Sequence, residues 1–453
     1  MLKAVLVIFC CVIQLDNGLS YASASTAKEH EREAADAFQK LEYDRVFRLW
    51  QSFPTDTTPS KSFIRAALES ALKLGRPDDA LGLYDRLVPA DQRDDLPLLR
   101  KIALGMISSH VRDSKEHIRI AAYSSLAELG LPETRSLLED GLLDASPLVR
   151  ARAIEGLGHA RLAAQSGAVR RALRDDMPAV RIAAMNALGE ADVRDVIPGL
   201  IEVARTEDGP EAVFAYAALF KLGKRDMLVD IQNAATLPDP ESRMAAFGAL
   251  GRLRQPSSLA VLSQGVYDPE APVRAFAAGA LGEFGQPGGV APLTHALGDE
   301  HARVRGIAAV SLGKLGIAEN RPLLQALTRD ASMQVRASAV EGLLRLGDAS
   351  AVLAATDLAR HPDPSIRAAT AQALGASSDK QATSILQALL QDQQPQPRLY
   401  AAKALGKTSV PVTPLLKKGL HDTDVAVRIT AAGSLLHQAD RLTKSAPPRR
   451  RKG

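Results

Sequence analysis

Cysteine and aromatic residues are scarce in this sequence. It contains two cysteines, Cys10 and Cys11, and aromatic residues make up 4% of its 453 positions, although 46% of all residues are apolar. With no cysteine after residue 11, the rest of the chain can form no disulfide, no thiolate zinc site and no Cys/His catalytic pair. An apolar content built on alanine and leucine is typical of closely packed helices.

A strong excess of charge is also lacking. The formal net charge is +4, and part of that excess lies in the last residues, PPRRRKG. A protein that grips nucleic acid through its phosphates needs a denser basic surface than this. A length of 453 residues exceeds what one hydrophobic core supports, so it predicts several domains or a repeat array.

Residues 1–24 have the pattern of a secretory signal peptide. Lys3 gives a positive start, AVLVIFCCVI over residues 4–13 is an unbroken apolar run, and ASA over 22–24 offers a cleavage site. The run is too short to span a bilayer comfortably, and no other stretch is apolar enough. The sequence predicts a periplasmic or secreted chain, cleaved near Ala24 and without a transmembrane segment; an uncleaved anchor is the alternative.

One arginine position recurs about every 31 residues. Ten of its eleven occurrences are arginine, every unit has a leucine seven residues later, and eight units have an aspartate six residues earlier. Chance does not keep such a register over this length, so the chain is a repeat array. The positions are Arg119, Arg150, Arg181, Ala212, Arg243, Arg274, Arg305, Arg336, Arg367, Arg398 and Arg428.

Each unit predicts two short antiparallel helices. On a helical wheel, the residues three, four, seven and ten after the arginine position share an apolar face, whereas those at two, five and nine lie opposite. A glycine eleven residues after the arginine position ends the first helix in several units. Because neither helix can bury its apolar face alone, the units must stack, which predicts an all-α solenoid of about eleven hairpins.

The recurring Asp and Arg residues are interpreted as a structural ladder. The arginine points towards the apolar face, where a guanidinium needs an anion, and the aspartate can cap the helix and accept from an arginine. One unit has Thr206 and Ala212 at the two positions, so a pair within one repeat is lost together. A row of general acids or anion sites would need exposed side chains. The predicted ladder comprises Asp113, Arg119, Asp144, Arg150, Asp175, Arg181, Asp268, Arg274, Asp299, Arg305, Asp330, Arg336, Asp392, Arg398, Asp422 and Arg428.

The pattern D-x5-R-x2-A-x3-L-G resembles the bacterial HEAT-like repeats of the phycobilin-lyase (PBS lyase) type. The segments ARVRGIAAVSLGKLG (302–316) and MQVRASAVEGLLRLG (333–347) match it closely. The resemblance covers residues 96–440 and implies a right-handed superhelix with a concave surface lined by the helices that carry the arginine. The same repeat serves scaffolds, lyases, hydroxylases and nucleic-acid binders, so the resemblance alone assigns no function.

The segments on either side of the array differ from it. FIRAALESALKLGRPDDALGLYDRLVP (63–89) resembles a tetratricopeptide repeat, and 31–53 is similar to a degenerate one, so residues 25–95 are predicted to form a helical cap or a short peptide-binding module. Residues 441–453 are predicted to be a disordered basic tail. The tail is either solvated or in contact with an acidic partner, anionic lipid or nucleic acid.

Four apolar residues two positions after the arginine are candidates for partner binding: Phe214, Phe276, Ile307 and Tyr400. This wheel position faces away from the core, and exposed apolar side chains there indicate a protein or peptide groove. The alternative is that curvature tucks them under neighbouring loops. The residues five after the arginine include one lysine and two glutamates, which does not form a phosphate track.

Candidate catalytic or metal-binding constellations are missing from the sequence of the array. The dipeptide His30-Glu31 lies outside it, the other histidines are scattered, and no phosphate loop or G-x-S-x-G elbow occurs. We therefore predict no cofactor, no metal and no catalytic residue. The predicted function is an exported scaffold that binds a partner protein or extended peptide; an enzyme or enzyme accessory of the lyase or hydroxylase type, and nucleic-acid binding through the tail, are the alternatives.

Overall fold

The structure, a computed structural model, describes residues 26–89 and 91–445, and all regular structure within those ranges is helical. The predicted all-α solenoid is confirmed. The predicted signal peptide with Cys10 and Cys11, and residues 446–453 of the tail, lie outside the described residues. Among the described helices, none combines the length and apolarity needed to cross a bilayer.

The chain divides into two compact units between Ser109 and His110. The first unit extends beyond the predicted boundary at residue 95, because the helix after that boundary packs on the two helices before it. Its helices are α1 (26–39), α2 (Tyr43–Gln51), α3 (Lys61–Lys73), α4 (Pro77–Leu87) and α5 (Leu96–Ser109).

The first unit is held together by most of the chain's few large aromatic residues. Phe63 packs with Ala34, Ala37 and Val46 in a buried cluster that Trp50 and others border. The ring centroids of Trp50 and Phe63 lie 5.5 Å apart. Aromatic side chains bury a large area each, so a small unit gains a core from few of them.

The second unit alternates long and short helices. The long helices carry the arginine positions: α6 (Glu116–Leu129), α8 (Pro147–His159), α10 (Pro178–Glu190), α12 (Pro210–Lys221), α14 (Pro240–Leu253), α16 (Ala271–Phe284), α18 (Ala302–Leu315), α20 (Met333–Arg345), α22 (Pro364–Leu374), α24 (Pro395–Lys407) and α26 (Val425–Ser445). The last of them ends five residues beyond the predicted array boundary at residue 440. The short helices are α7 (Arg135–Gly141), α9 (Gly167–Arg171), α11 (Ile197–Thr206), α13 (Met227–Ala234), α15 (Leu259–Gln264), α17 (Val290–Ala296), α19 (Arg321–Leu327), α21 (Ala351–Leu358), α23 (Lys380–Leu389) and α25 (Thr413–Gly419).

Glycine and alanine let successive long helices approach closely. A Cβ on Gly313 would lie 2.5 Å from the Cα of Gly342, and a Cβ on Gly282 would lie 2.7 Å from the Ser311 hydroxyl oxygen. Both glycines stand eight residues after an arginine position, within the recurring Leu-Gly pair. Close contact along the long helices draws that layer together and curves the stack towards it.

The curvature brings the first and last long helices together. Helix α26 packs against α6, so each long helix of the unit contacts two others and the series closes into a ring. Gly433 of α26 lies against α6, where a Cβ on it would be 3.3 Å from the Cβ of Ser125. Lys403 of α24 forms an ion pair with Glu128 of α6 across the junction, with Nζ and Oε1 2.5 Å apart. The sequence analysis predicted the solenoid and its concave face, and the structure adds that the two ends meet.

The closed ring predicts a disulfide between residues far apart in sequence. In a chain that begins after residue 25 and carries Ser125→Cys with Gly433→Cys, the two Cβ atoms would lie close to the separation found in disulfides. We expect an intramolecular disulfide to form under mild oxidation, detected by non-reducing electrophoresis and peptide mass spectrometry. The control pairs Ser125→Cys with Gly248→Cys, on a long helix across the ring, and should remain reduced. A first pair that also stays reduced would show that the ends do not meet.

Candidate partner-binding surface

The recurring arginines link successive repeats. Arg274 Nε donates to Asp299 Oδ2 at 2.7 Å and its Nη2 donates to Oδ1 at 3.1 Å, whereas its Nη1 donates to the main-chain oxygen of Asp268 at 2.9 Å. The carboxylate that this arginine binds therefore belongs to the next repeat, 25 residues on, and its own repeat supplies carbonyl groups. Asp299 also accepts from the backbone N–H of His301 at 2.8 Å, which fixes the turn before α18.

The same bidentate geometry recurs around the unit. Eight guanidinium groups bind a carboxylate of the following repeat: Arg119–Asp144, Arg150–Asp175, Arg181–Glu211, Arg243–Asp268, Arg274–Asp299, Arg305–Asp330, Arg367–Asp392 and Arg398–Asp422. The sequence analysis omitted Arg243 and Arg367, because it sought the aspartate in the same repeat, where Leu237 and His361 stand.

Three predicted ladder residues have other surroundings. His361 takes the carboxylate position opposite Arg336, whose Nε donates to the Asp330 carbonyl oxygen at 2.6 Å. Asp113 begins the array and accepts from the Lys115 N–H at 2.9 Å. Arg428 ends the array and donates from Nη1 to the Asp422 carbonyl oxygen at 2.9 Å.

The irregular repeat follows the same rule of pairing. Position 212 is alanine, and the position 25 residues later is Leu237, so both members of that rung are apolar. Arg181 would have met Thr206, and it binds Glu211 from the start of α12 instead, with Nη2 and Oε2 2.6 Å apart. The sequence analysis attributed the loss to a pair within one repeat; the contacts place each pair between two repeats.

The ladder groups are occupied and shielded from water. The side chains of Arg243 and Asp268 are 10% and 8% exposed, and those of Arg305 and Asp330 are 16% and 9% exposed. Hydrogen bonds from Arg305 lower the pKa of Asp330 and outweigh the opposing effect of burial. With both partners charged and hydrogen-bonded to each other, the ladder offers no free group to a ligand.

The concave face of the ring is formed by the residues two, five and nine after each arginine position. A depression of ≈ 740 Å³ is lined from five successive long helices, α16 to α24. Ile307, Val310 and Lys314 of α18 stand at these three positions in its wall. Side chains from helices four repeats apart line one depression only if those helix faces converge, so this face is the inner face of the ring.

Carboxylates on the inner face are neutralised by cations of the same face. Glu190 binds Lys221 of the next repeat at 2.8 Å, and Glu283 binds Lys314 in the same way. The remaining inner carboxylates bind a neighbouring cation as well: Glu128–Lys403, Glu155–Arg152 and Glu341–Arg345. The hydrogen bond from Lys314 lowers the pKa of Glu283, which keeps that carboxylate charged.

Three cations of the inner face form no ion pair with any described residue: Arg252, Arg303 and Lys407. Arg303 and Lys407 are exposed and line the depression. Arg252 lies over the ring of Phe214, 5.6 Å from its centroid, and desolvation within the concavity lowers its pKa although part of its surface remains open to water. These guanidinium and ammonium groups are free to meet an anion.

The four predicted binding residues are distributed around this face. Phe276 is 47% exposed on α16, and Ile307 is half-buried on the adjacent α18. Phe214 lies half-buried beneath Arg252 on α12, and Tyr400 is half-buried on α24. The structure therefore brings only Phe276 and Ile307 onto neighbouring helices, and partner binding by the four stays a prediction.

The sequence profile of HEAT repeats matches residues 96–158, 141–221, 262–322 and 320–398, which together cover more than half of the chain. The chain belongs to the HEAT-repeat proteins. The interval between the matched segments contains Leu237, where the HEAT ladder lacks its carboxylate. The matches begin at α5, one helix before the second compact unit.

Solved structures similar to this HEAT-repeat chain belong to proteins with different activities. The complex of CpcE and CpcF of phycocyanin lyase from Nostoc sp. PCC7120 is 21% identical, covers 48% of this chain and 92% of its own, and has a TM-score of 0.39. Human deoxyhypusine hydroxylase is 21% identical, covers 55% of this chain and 98% of its own, and has a TM-score of 0.30. Kap95p, solved with RanGDP, is 12% identical, covers 87% of this chain and 60% of its own, and has a TM-score of 0.35.

No curated protein matches the sequence. Within the described ranges, no three His, Cys, Asp or Glu side chains are grouped so that they could hold a metal ion. The solved structures named above are all below 25% identity and show the helical-repeat fold alone.

The ladder predicts energetic coupling between repeats of the HEAT array. Arg305→Ala should lower the free energy of unfolding, because it leaves Asp330 buried without its guanidinium. In double-mutant cycles followed by thermal unfolding, we expect a coupling energy of about 0.5–3 kcal/mol between Arg305→Ala and Asp330→Ala. Arg305→Ala and Asp299→Ala should be additive, since Arg305 binds only the main-chain oxygen of Asp299. Arg303→Ala, on the same helix, is the control and should leave the unfolding temperature unchanged; the reverse pattern of coupling would refute pairing between repeats.

Proposed function

We propose that this protein is a scaffold whose HEAT array holds an extended segment of a partner protein on its inner face. The observation that carries the proposal is the depression of ≈ 740 Å³, which is lined from five long helices and contains cations that no described carboxylate neutralises. The ladder groups, by contrast, are engaged with one another. The inner face is therefore where the array has unused binding capacity.

The dimensions of the ring are compatible with a peptide segment. Eleven long helices at separations of about 8–10 Å form a ring roughly 30 Å across between opposite helix axes. After about 10 Å is subtracted for the helices themselves, roughly 20 Å remains for side chains and an occupant. An extended strand or a single helix fits within this space, whereas a folded domain does not.

The finer family resemblance belongs to this proposal. The motif D-x5-R-x2-A-x3-L-G supports repeats of the phycobilin-lyase type, and the two hairpins α1–α2 and α3–α4 support a tetratricopeptide-like segment at the N-terminus. In both types of repeat, stacked helical pairs present a surface for other proteins. Their combination is consistent with a binding role.

Site-specific photo-crosslinking tests the scaffold function. A photoreactive phenylalanine analogue at Phe276 faces the ring interior, and the same analogue at Val229, 57% exposed on the short helix α13, faces away from it. In the native host, irradiation should produce a discrete adduct from position 276 and none from position 229, identified by mass spectrometry. Adducts from Val229 alone would place the interaction on the outer layer and contradict an inner-face scaffold.

We propose further that the protein is exported. Lys3, the apolar run over 4–13 and the ASA segment over 22–24 support a cleaved signal peptide. Intact-mass measurement of the protein purified from its host should give a chain that begins near Ser25 and is recovered in the periplasmic or extracellular fraction. A chain that retains residue 1 and stays in the cytoplasm would contradict export.

A further inference from the structure

We infer that the occupant of the inner face is an acidic, extended segment in which carboxylates flank an apolar side chain. The inference rests on the proposed scaffold function and adds the chemistry of the partner. It depends on which charges of the depression are already paired, on the apolar wall between them, and on the distance that separates the unpaired cations.

The depression has a positive charge that its own acids do not cancel. Four cations line it, Arg303, Lys314, Arg345 and Lys407, together with one carboxylate, Glu341, which is buried and already binds Arg345 at 2.8 Å. Lys314 is bound by Glu283. Two cations are therefore left for a ligand, and anions on that ligand would complete the same pattern of pairing that the rest of the inner face shows.

An apolar wall lies between the two unpaired cations. Ile307 and Val310 are half-buried in the lining of the depression, and Gly279 opens space beside Ile307, because a Cβ on the glycine would lie 3.6 Å from the Ile307 Cγ2. Phe276 is on the adjoining helix and is 47% exposed. An aliphatic or aromatic side chain placed here would remove apolar surface from water on both partners.

The positions of the cations fix the length of the segment. Arg303 stands near the start of α18, and Lys407 is the last residue of α24, three long helices further on. Three helix spacings of about 8–10 Å, and roughly 16 Å along the helix axis, separate the two along the curved face by about 30 Å. A chord across the concavity is shorter, so about eight extended residues at ~3.3 Å each connect the two cations.

Other occupants fit the charge less well. The segment 445–453 of this chain contains three arginines and a lysine, so the unpaired cations would repel it. A nucleic acid strand carries a phosphate at every nucleotide and would meet the inner carboxylates Glu128, Glu190 and Glu283 as well as the cations. A peptide with separated acidic residues avoids this repulsion, since it places anions only where cations are free.

Selection from a random peptide library tests the inference. The library is a displayed set of random 12-residue peptides, and the target is the chain from residue 26 to residue 453. We expect enrichment of peptides with two or more Asp or Glu residues around Leu, Ile or Phe. One enriched peptide, synthesised with a fluorophore, is then titrated by anisotropy, and its affinity should fall as salt is raised from low to physiological concentration.

Charge-reversal variants locate the binding. Arg303→Glu with Lys407→Glu should weaken the selected peptide at least about tenfold. The matched control, Arg171→Glu with Arg174→Glu, makes the same change in net charge at two exposed residues in and just after the short helix α9 and should leave the affinity unchanged. Circular dichroism melting of both variants separates loss of binding from loss of folding.

Each remaining outcome rejects the inference. Enriched peptides that are basic or uncharged, or an equal effect of the control pair, would show that the depression does not select acidic segments. Tighter binding of a single-stranded RNA or DNA 12-mer than of any peptide would assign the face to nucleic acid, and capture of a second copy of this chain would assign it to self-association. If position 276 still crosslinks to a partner protein while the peptides fail, the scaffold function stands and only the acidic chemistry is wrong.

Discussion

The contact between an arginine and the carboxylate of the next repeat holds this fold in register. Each guanidinium has its Nε and Nη2 on a carboxylate and its Nη1 on carbonyl groups of its own repeat, as Arg243 has with Asp268 and Leu237. Few donors remain to be satisfied, which makes a largely buried ion pair tolerable. Because the geometry is bidentate, it fixes the direction in which one repeat follows another as well as their separation.

The ladder accounts for register, whereas curvature comes from the sizes of residues that face each other. Glycine against glycine, serine or alanine allows the long helices to approach closely along one layer, as at Gly313 and Gly342. The pairs of the ladder limit each repeat to the same arrangement. A repeated rotation of the same sign then closes the stack, and the closing contact at Gly433 and Ser125 uses small residues of the same kind.

The helical hairpins could be predicted from the sequence because each unit repeats a wheel pattern and a Leu-Gly pair. The partner of each arginine could not be predicted in this way, since an aspartate lies six residues before one arginine and 25 residues after another, and both spacings are equally regular. The signal that could have decided between them was the joint replacement of Ala212 and Leu237. Ring closure was also out of reach, because it depends on small angles that accumulate over eleven units.

The division between repeated and varied positions explains why binding is expected on the inner face. The residues three and seven after the arginine position are nearly constant, because they face the neighbouring helix and must fit it. The residues two after it include arginine, phenylalanine, isoleucine, serine and tyrosine, and the residues nine after it include acids, bases and histidine. A structural requirement shared by all repeats would have made these positions alike. The charges and apolar groups in which the repeats differ therefore carry information that only a partner of defined sequence can read.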